Sequence, residues 1–393
     1  MQASVLLVTQ STLCLRHWAV LAGVLGQLRL SKQALWERLN ASAGAFLQAV
    51  RARVLARRVQ PQRATPPAAL ASFRRVLLQD STLIKLTPEL AAAFPGSRNQ
   101  CGAQCGQLRI QALYDLLAQR FVSFGLSSFR RNDQAAAPDI AAVVQPGDLV
   151  VRDLGYFVLA SFTQIAQAGA FFLSRLRLDT GVAEVRTGQT FDLLGRLRRQ
   201  GCFDGEVLLG AAQRRVRLVA VKLPAAVAAE RRRRAKANRD GRRHPSAATL
   251  ALLAWALFVT NVPQKIWSAR TVAEIYGLRW RLETIFKAWK SHFRLTAIPR
   301  GTAAQLEALI YARRLFITVF ATLEAQPGWR ADPAAAPVSL LKLAGLVGDF
   351  FLVLYLEARH ARLAAAWWQQ VNYHGRYERR RRISFSEILA KLT

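Results

Sequence analysis

Between Val76 and Leu86 the chain reads VLLQDSTLIKL, a run apolar on both faces and interrupted only around Asp80. A strand without a polar face is covered on both sides, so this segment reads as a buried central strand. WALFVTNVP, from Trp255 to Pro263, reads the same way. QLRIQALY (Gln107 to Tyr114) alternates Leu108, Ile110, Ala112 and Tyr114 with Arg109 and Gln111, as in a half-buried strand. VSFGLSSF (Val122 to Phe129) reads as a further strand, and GDLVVRDLGYF (Gly147 to Phe157) as a strand closed by a Gly turn. Short helices are predicted over 134–145 and 158–168. Between 170 and 225 the segments FFLSRLRLDTG, AEVRTGQTFDLL, GEVLLGA and RVRLVAVKLP read as successive strands, a β-rich stretch.

The flanks read as helical. In residues 1–60, HWAVLAGVLGQ precedes LSKQALWERLN, with Ser31 as N-cap; the pair reads equally as a helix-turn-helix or as plain helical packing. RVQPQRATPP (Arg58 to Pro67) reads as a linker, and residues 301–370 as helical.

The 393 residues carry 56 basic and 24 acidic side chains, a net charge of +32. Such an excess repels itself in a compact fold and calls for a polyanionic partner. Most of the basic residues are Arg, whose planar fork grips phosphate well, so nucleic acid is the expected partner. A ribosomal-type RNA binder is the plainer form of that reading, but such proteins are usually shorter and poorer in apolar residues. ERRRRAKANRDGRRH (Glu230 to His244) and YERRRRIS (Tyr377 to Ser384) are basic runs, read as solvated patches or general DNA contacts at Arg231–Arg234 and Arg379–Arg382.

Four cysteines suit a reducing compartment; Cys101 and Cys105 lack the further nearby ligands of a zinc site and read as unpaired thiols in a loop. The apolar run from Ala247 to Val259 is short of the roughly 18–20 residues of a membrane span. The N-terminus has no basic leader, and Gln10, Ser11 and Arg16 interrupt its apolar content. A cytoplasmic protein is expected.

YGLRWRLETIFKAWKSHFRL, from Tyr276 to Leu295, places a carboxylate among several cations. With 272–294 read as one helix at about 100° per residue, Tyr276, Arg279, Glu283, Lys287, Lys290 and Arg294 share a narrow stripe. Leu278, Leu282, Ile285, Phe286, Trp289 and Phe293 form an apolar face beside it, with Trp289 read as core. Glu283 either balances Arg279 and Lys287 at four-residue spacing or helps hold a divalent metal against a bound phosphate. Partner carboxylates are few. Asp80 is costly to bury unless hydrogen-bonded, paired or metal-bound, and Asp153 sits where Gly155 turns the chain, as a turn-former or an exposed ligand. Asp148 belongs to the turn that starts the same strand.

These residues carry a resemblance. Tyr276-x2-Arg279-x3-Glu283-x6-Lys290 resembles the Tyr-Arg-Glu-Lys signature of the insertion-sequence-four family of bacterial DDE transposases. Asp80-Ser81-Thr82 looks like the family's first catalytic aspartate, Asp153-Leu154-Gly155-Tyr156 like the second, and Thr260-Asn261 before Pro263 like the strand preceding the glutamate helix. The likeness covers residues 70–300 well and the ends loosely, and the N-terminal region lacks a clear basic recognition helix.

The resemblance implies an α/β fold: a ribonuclease-H-like mixed sheet with a β-rich insertion, flanked by helical N- and C-terminal regions. The domains would be a helical, candidate DNA-binding region (1–67), a catalytic core (68–169 and 245–300), the insertion with its basic run (170–244) and a helical C-terminal region with a basic tail (301–393). It implies catalytic and metal-holding roles for Asp80, Asp153 and Glu283, two Mg2+ ions with Mn2+ as substitute, and phosphate contacts from Tyr276, Arg279 and Lys290. Lys287 and Arg294, on the same stripe, are further candidate DNA contacts. The expected partners are double-stranded transposon ends and target DNA, with a homodimer on paired ends, in the bacterial cytoplasm at the nucleoid. A nuclease that never joins strands, or a catalytically dead DNA-binding derivative, are the rival readings.

Overall fold

The structure, a computed structural model, describes residues 31–57, 66–98, 104–237, 245–297, 301–324 and 339–347, with residues 19, 389, 391 and 392. HWAVLAGVLGQ apart from Ala19, the Arg58 to Pro67 linker for the most part, Cys101 and the Arg379–Arg382 run lie outside the described residues.

Ten strands form one mixed sheet: β1 (Val76–Lys85), β2 (Pro95–Arg98), β3 (Gln104–Asp115), β4 (Arg120–Ser128), β5 (Leu149–Arg152), β6 (Phe171–Arg175), β7 (Val182–Ala183), β8 (Phe203–Leu209), β9 (Arg214–Lys222) and β10 (Trp255–Thr260). Their spatial order is β2-β3-β1-β5-β6-β10-β9-β8-β7, with β4 on β3. β1 runs antiparallel to β3 and parallel to β5, β5 runs parallel to β6, and β10 is antiparallel to both neighbours.

The apolar reading of β1 on both faces is explained by what covers it. Val76 and Leu78 join a core with Phe258, Leu282, Phe286 and Trp289, while Leu77 joins a second core with Val150, Phe162 and Ile165. Each such side chain contributes about 1.5–3 kcal/mol by leaving water. The strands between residues 170 and 225 are not a separate layer: β8 and β9 continue the same sheet beyond β10.

The helices are α1 (Lys32–Glu37), α2 (Ala41–Arg57), α3 (Asp133–Ala136), α4 (Leu159–Gln167), α5 (Leu193–Gln200), α6 (Ala225–Lys236), α7 (Ala247–Leu252), α8 (Ala269–Gly277), α9 (Trp280–Ser291) and α10 (Ala303–Glu324). Ser31 caps α1 as expected, accepting from the Ala34 amide. α2 packs along α10. The apolar run from Ala247 to Val259 divides into α7 and β10, and among the described residues no helix is long and apolar enough to cross a membrane.

Three expectations are corrected. AEVRTGQTFDLL is not a strand beyond Ala183: Asp192 caps α5 by accepting from the Gly195 amide, Leu193 and Leu197 face the core, and Gly201 ends the helix at φ 75°. Cys105 lies on β3, not in a loop. The stretch 272–294 is not one helix. After Gly277 the amides of Leu278, Arg279, Arg281 and Leu282 bond three residues back, a tightened turn that separates α8 from α9. α9 then ends at Ser291, leaving Arg294 in a left-handed turn at φ 48°.

Candidate active site

β1 and β5 place the first two acids. Their parallel register pairs Gln79 with Arg152, so the next residues, Asp80 and Asp153, stand side by side at the ends of the paired segments. β1 continues past Asp80, whereas the chain turns sharply after Asp153, whose carboxylate accepts from the Gly155 amide at 3.5 Å. α9 brings the third acid. Leu282, Ile285, Phe286 and Trp289 are buried against the sheet, Trp289 packing at a tilt on Phe121 and Phe124, which leaves Glu283 at the cleft.

The three carboxylates converge on one guanidinium. Arg279 donates to Asp80 Oδ2 at 3.0 Å and to Glu283 Oε1 at 2.5 Å, and its Nε lies 3.5 Å from Asp153 Oδ1. The break between α8 and α9 puts Arg279 there, at the N-cap position just before α9, where it is 8% exposed. A cleft of about 480 Å³ opens on the cluster, lined by Asp80, Asp153, Arg279, Glu283, Lys287 and Lys290, among others.

Loss of water pushes the Asp80 carboxyl up to about 7, against the opposing pull of Arg279 and of the Ser81 amide; the Asp153 and Glu283 charges add to the rise. Burial lowers the Lys290 ammonium. Burial also raises the Tyr276 phenol to about 12, so it is a neutral hydroxyl at working pH.

Of the predicted site residues, Asp80, Asp153, Glu283, Arg279, Lys287 and Lys290 come together at the cleft. Tyr276 lies beneath it, 8% exposed, its ring 5.2 Å from Phe258 and 5.8 Å from the Arg279 guanidinium carbon. Arg294 is exposed, beyond the end of α9, and does not line the cleft. Asp148 is fully buried and bound by Arg75 at the opposite end of the β1–β5 pair. The Arg231–Arg234 run is partly structural: Arg232 donates to Leu250 O, and Arg233 and Arg234 pair with Glu230.

Sequence reading missed a polar group behind the acids. Asp133 accepts from Ser81 Oγ at 2.6 Å and from Arg109 at 2.9 Å, and Tyr156 donates to Gln111 beside them. No spacing pattern links these residues; only the pairing of β1 with β3 and the packing of α3 gather them.

The donor set suits a hard divalent cation: all oxygen, with three carboxyl groups around one guanidinium. The oxygens are spread around the guanidinium, and among the described residues no three His, Cys, Asp or Glu side chains are gathered tightly enough to hold an ion. An ion held by all three acids would have to take the place Arg279 occupies between them.

Residues 71–319 match the family model described as Transposase DDE domain. The chain is 27% identical over 365 residues to the transposase for insertion sequence element IS231F of Bacillus thuringiensis subsp. israelensis, covering 87% of this chain and 75% of that protein. It is 26% identical over 348 residues to the IS231B transposase of Bacillus thuringiensis subsp. berliner (83% and 72%), and 23% identical over 316 residues to the IS1151 transposase of Clostridium perfringens (75% and 66%). The family match spans the sheet and the helix that carries Glu283, well over half of the chain, so this protein belongs to the DDE-domain transposase family and is a DNA transposase dependent on divalent metal.

Proposed function

We propose that Asp80, Asp153 and Glu283 are the catalytic, metal-holding acids of this transposase, which nicks transposon ends and joins the freed 3′ hydroxyl to target DNA at one site. The observation that carries this reading is the sharing of a single guanidinium by three acids far apart in sequence. Two Mg2+ ions, replaceable by Mn2+, would supply activation of the attacking hydroxyl and charge neutralisation at the leaving oxygen.

The chain's own residues do the rest. Asp80 and Asp153 hold the site on the sheet, and Glu283 closes it from α9. Arg279 offsets part of the charge of the three acids in the absence of metal and turns its fork to a DNA phosphate when displaced. Lys287 and Lys290, on the cleft wall, grip the backbone without reading bases, with Arg294 further along the same path. Tyr276 offers a neutral hydroxyl below Arg279. The spacing Tyr276-x2-Arg279-x3-Glu283-x6-Lys290 supports placement in the insertion-sequence-four family. A central β1, antiparallel to β3 and parallel to β5, supports a ribonuclease-H-like core over 68–169 and 245–300, with 170–244 inserted and 1–67 and 301–393 flanking. Pairing of two ends implies a homodimer on DNA, at the nucleoid.

The test is strand transfer by the full chain with Mg2+, using a plasmid target and pre-cut DNA from any inverted repeats found to flank its coding segment. Joined products are expected, and hydrolysis without joining would leave only a nuclease. Asp80→Asn, Asp153→Asn and Glu283→Gln should each slow nicking by about a thousandfold or more while retaining DNA binding, because each removes several kcal/mol of charge stabilisation. Retained metal-dependent nicking in any one of them would overturn the assignment.

A further inference from the structure

We propose that Asp133 is a positioning residue that locks the Asp80 strand to the Asp153 turn. The proposal rests on the reading of Asp80 and Asp153 as metal-holding acids.

Asp133 opens α3, directly after the Asn132 cap, and its side chain is 22% exposed. One side of its carboxylate faces β1 and β3: Oδ1 accepts from Ser81 Oγ at 2.6 Å, from Arg109 at 2.9 Å and from Gln111 Nε2 at 3.4 Å. Ser81 is shared between two acids. Its hydroxyl donates to Asp133, while its amide donates to Asp80 Oδ1 at 2.8 Å. The other side of the carboxylate lies against the Asp153 turn. A Cβ on Gly155 would stand 2.7 Å from Asp133 Oδ2, closer than a carbon and an oxygen approach without displacement. Gly155 has no positive φ, so its backbone does not require glycine; a side chain there would have to displace the Asp133 carboxylate. Tyr156, next in the turn, donates to Gln111, which also reaches Asp133.

One carboxylate thus touches the residue after Asp80 and the glycine two after Asp153. Arg109 balances its charge, and Oδ1 is committed to three donors. Asp133 is therefore a brace behind the ligands and not a fourth ligand. Groups that hold metal ligands in place commonly set metal affinity by about 10–100-fold when removed.

The experiment titrates the full-length protein with Mn2+ alone, read by electron paramagnetic resonance, beside thermal melts of the metal-free variants. Asp133→Ala is expected to weaken Mn2+ binding by about tenfold or more. Asp133→Asn keeps an acceptor for Ser81 and Arg109 and is expected to recover most of that loss, which a purely electrostatic role would not allow. Gly155→Ala should weaken Mn2+ binding in the wild-type background and add much less in Asp133→Ala, because its closest clash is with the Asp133 oxygen and only the Asp133 Cβ, 3.2 Å away, remains in Ala. Gly155→Ala and Asp133→Asn carry the test should Asp133→Ala fail to fold. Asp80→Asn is the control. If it binds Mn2+ like the wild type, the underlying site reading falls. If it loses Mn2+ while Asp133→Ala and Gly155→Ala bind normally, or if Gly155→Ala is equally harmful in both backgrounds, the brace alone is refuted.

Discussion

Asp148 and Asp80 are buried acids placed by the same pair of parallel strands, one at each end, and each meets an arginine. At the Asp148 end the account is closed. Arg75 bonds Asp148 through Nε at 2.9 Å and a terminal nitrogen at 2.5 Å, and the Gln145 amide completes the set at 2.8 Å. The cation is ion-paired directly with this one anion, with Asp115 feeling its charge from further off. At the Asp80 end, one cation serves three: Arg279 is shared with Asp153 and Glu283, and a cleft opens beside them. In a chain of net charge +32 this local surplus of negative charge is conspicuous. A sealed pair stabilises a fold; a surplus left open to solvent is a place for a cation that the chain does not itself supply.

Removing each arginine separates the two ends most sharply. Arg75→Ala leaves Asp148 buried without its counter-ion and should cost about 3–5 kcal/mol in a denaturant melt, with no recovery in Mg2+. Arg279→Ala should cost less, because Asp153 and Glu283 are over a third exposed, and millimolar Mg2+ should restore the loss. Equal insensitivity to Mg2+ in both variants would erase the contrast.

An effect of similar size concerns pH. The Asp80 carboxyl, raised from 3.8 to about 7 mainly by burial, keeps its proton in the folded chain over a range where the unfolded chain has lost it. The folded state then binds more protons. Metal-free stability should fall as pH rises from about 4 to 7, by up to about 1.4 kcal/mol per unit from this group, and level off above. Asp80→Asn should remove that component from thermal melts across the same range. A slope unchanged by Asp80→Asn would place its origin elsewhere.

The smallest expected change is electrostatic. Lys290→Ala, on the cleft wall, should lower the slope of DNA affinity against salt by about one phosphate's worth, uniformly across DNA sequences. An unchanged slope in a binding titration would remove Lys290 from the DNA path.

Much of the site was legible because it is periodic or costly. Asp80 stood out as a charge in an apolar strand, and the buried face of α9 followed from helical spacing. The break at Leu278–Arg279 was not legible: nothing in Gly277-Leu278-Arg279 forbids a continuous helix, yet the chain tightens there and Arg279 meets its three acids just beyond. α5 was hidden by a short β-like stretch before it, although Asp192 and Gly201 are its ordinary boundary signals. Asp133 left no trace, since a carboxylate after a helix cap in a polar stretch is commonplace.

By itself, the sequence determined which segments are buried, which acids are expensive, and the spacing that aligns Arg279 with Glu283 on one stripe, because local period and desolvation cost are properties of the chain. Tertiary structure alone decided that β8 and β9 extend the main sheet, that Asp80 and Asp153 stand side by side, and that Asp133 reaches both of their segments. Those are contacts between residues remote along the chain, and they are chosen by strand order and register, which no single segment encodes.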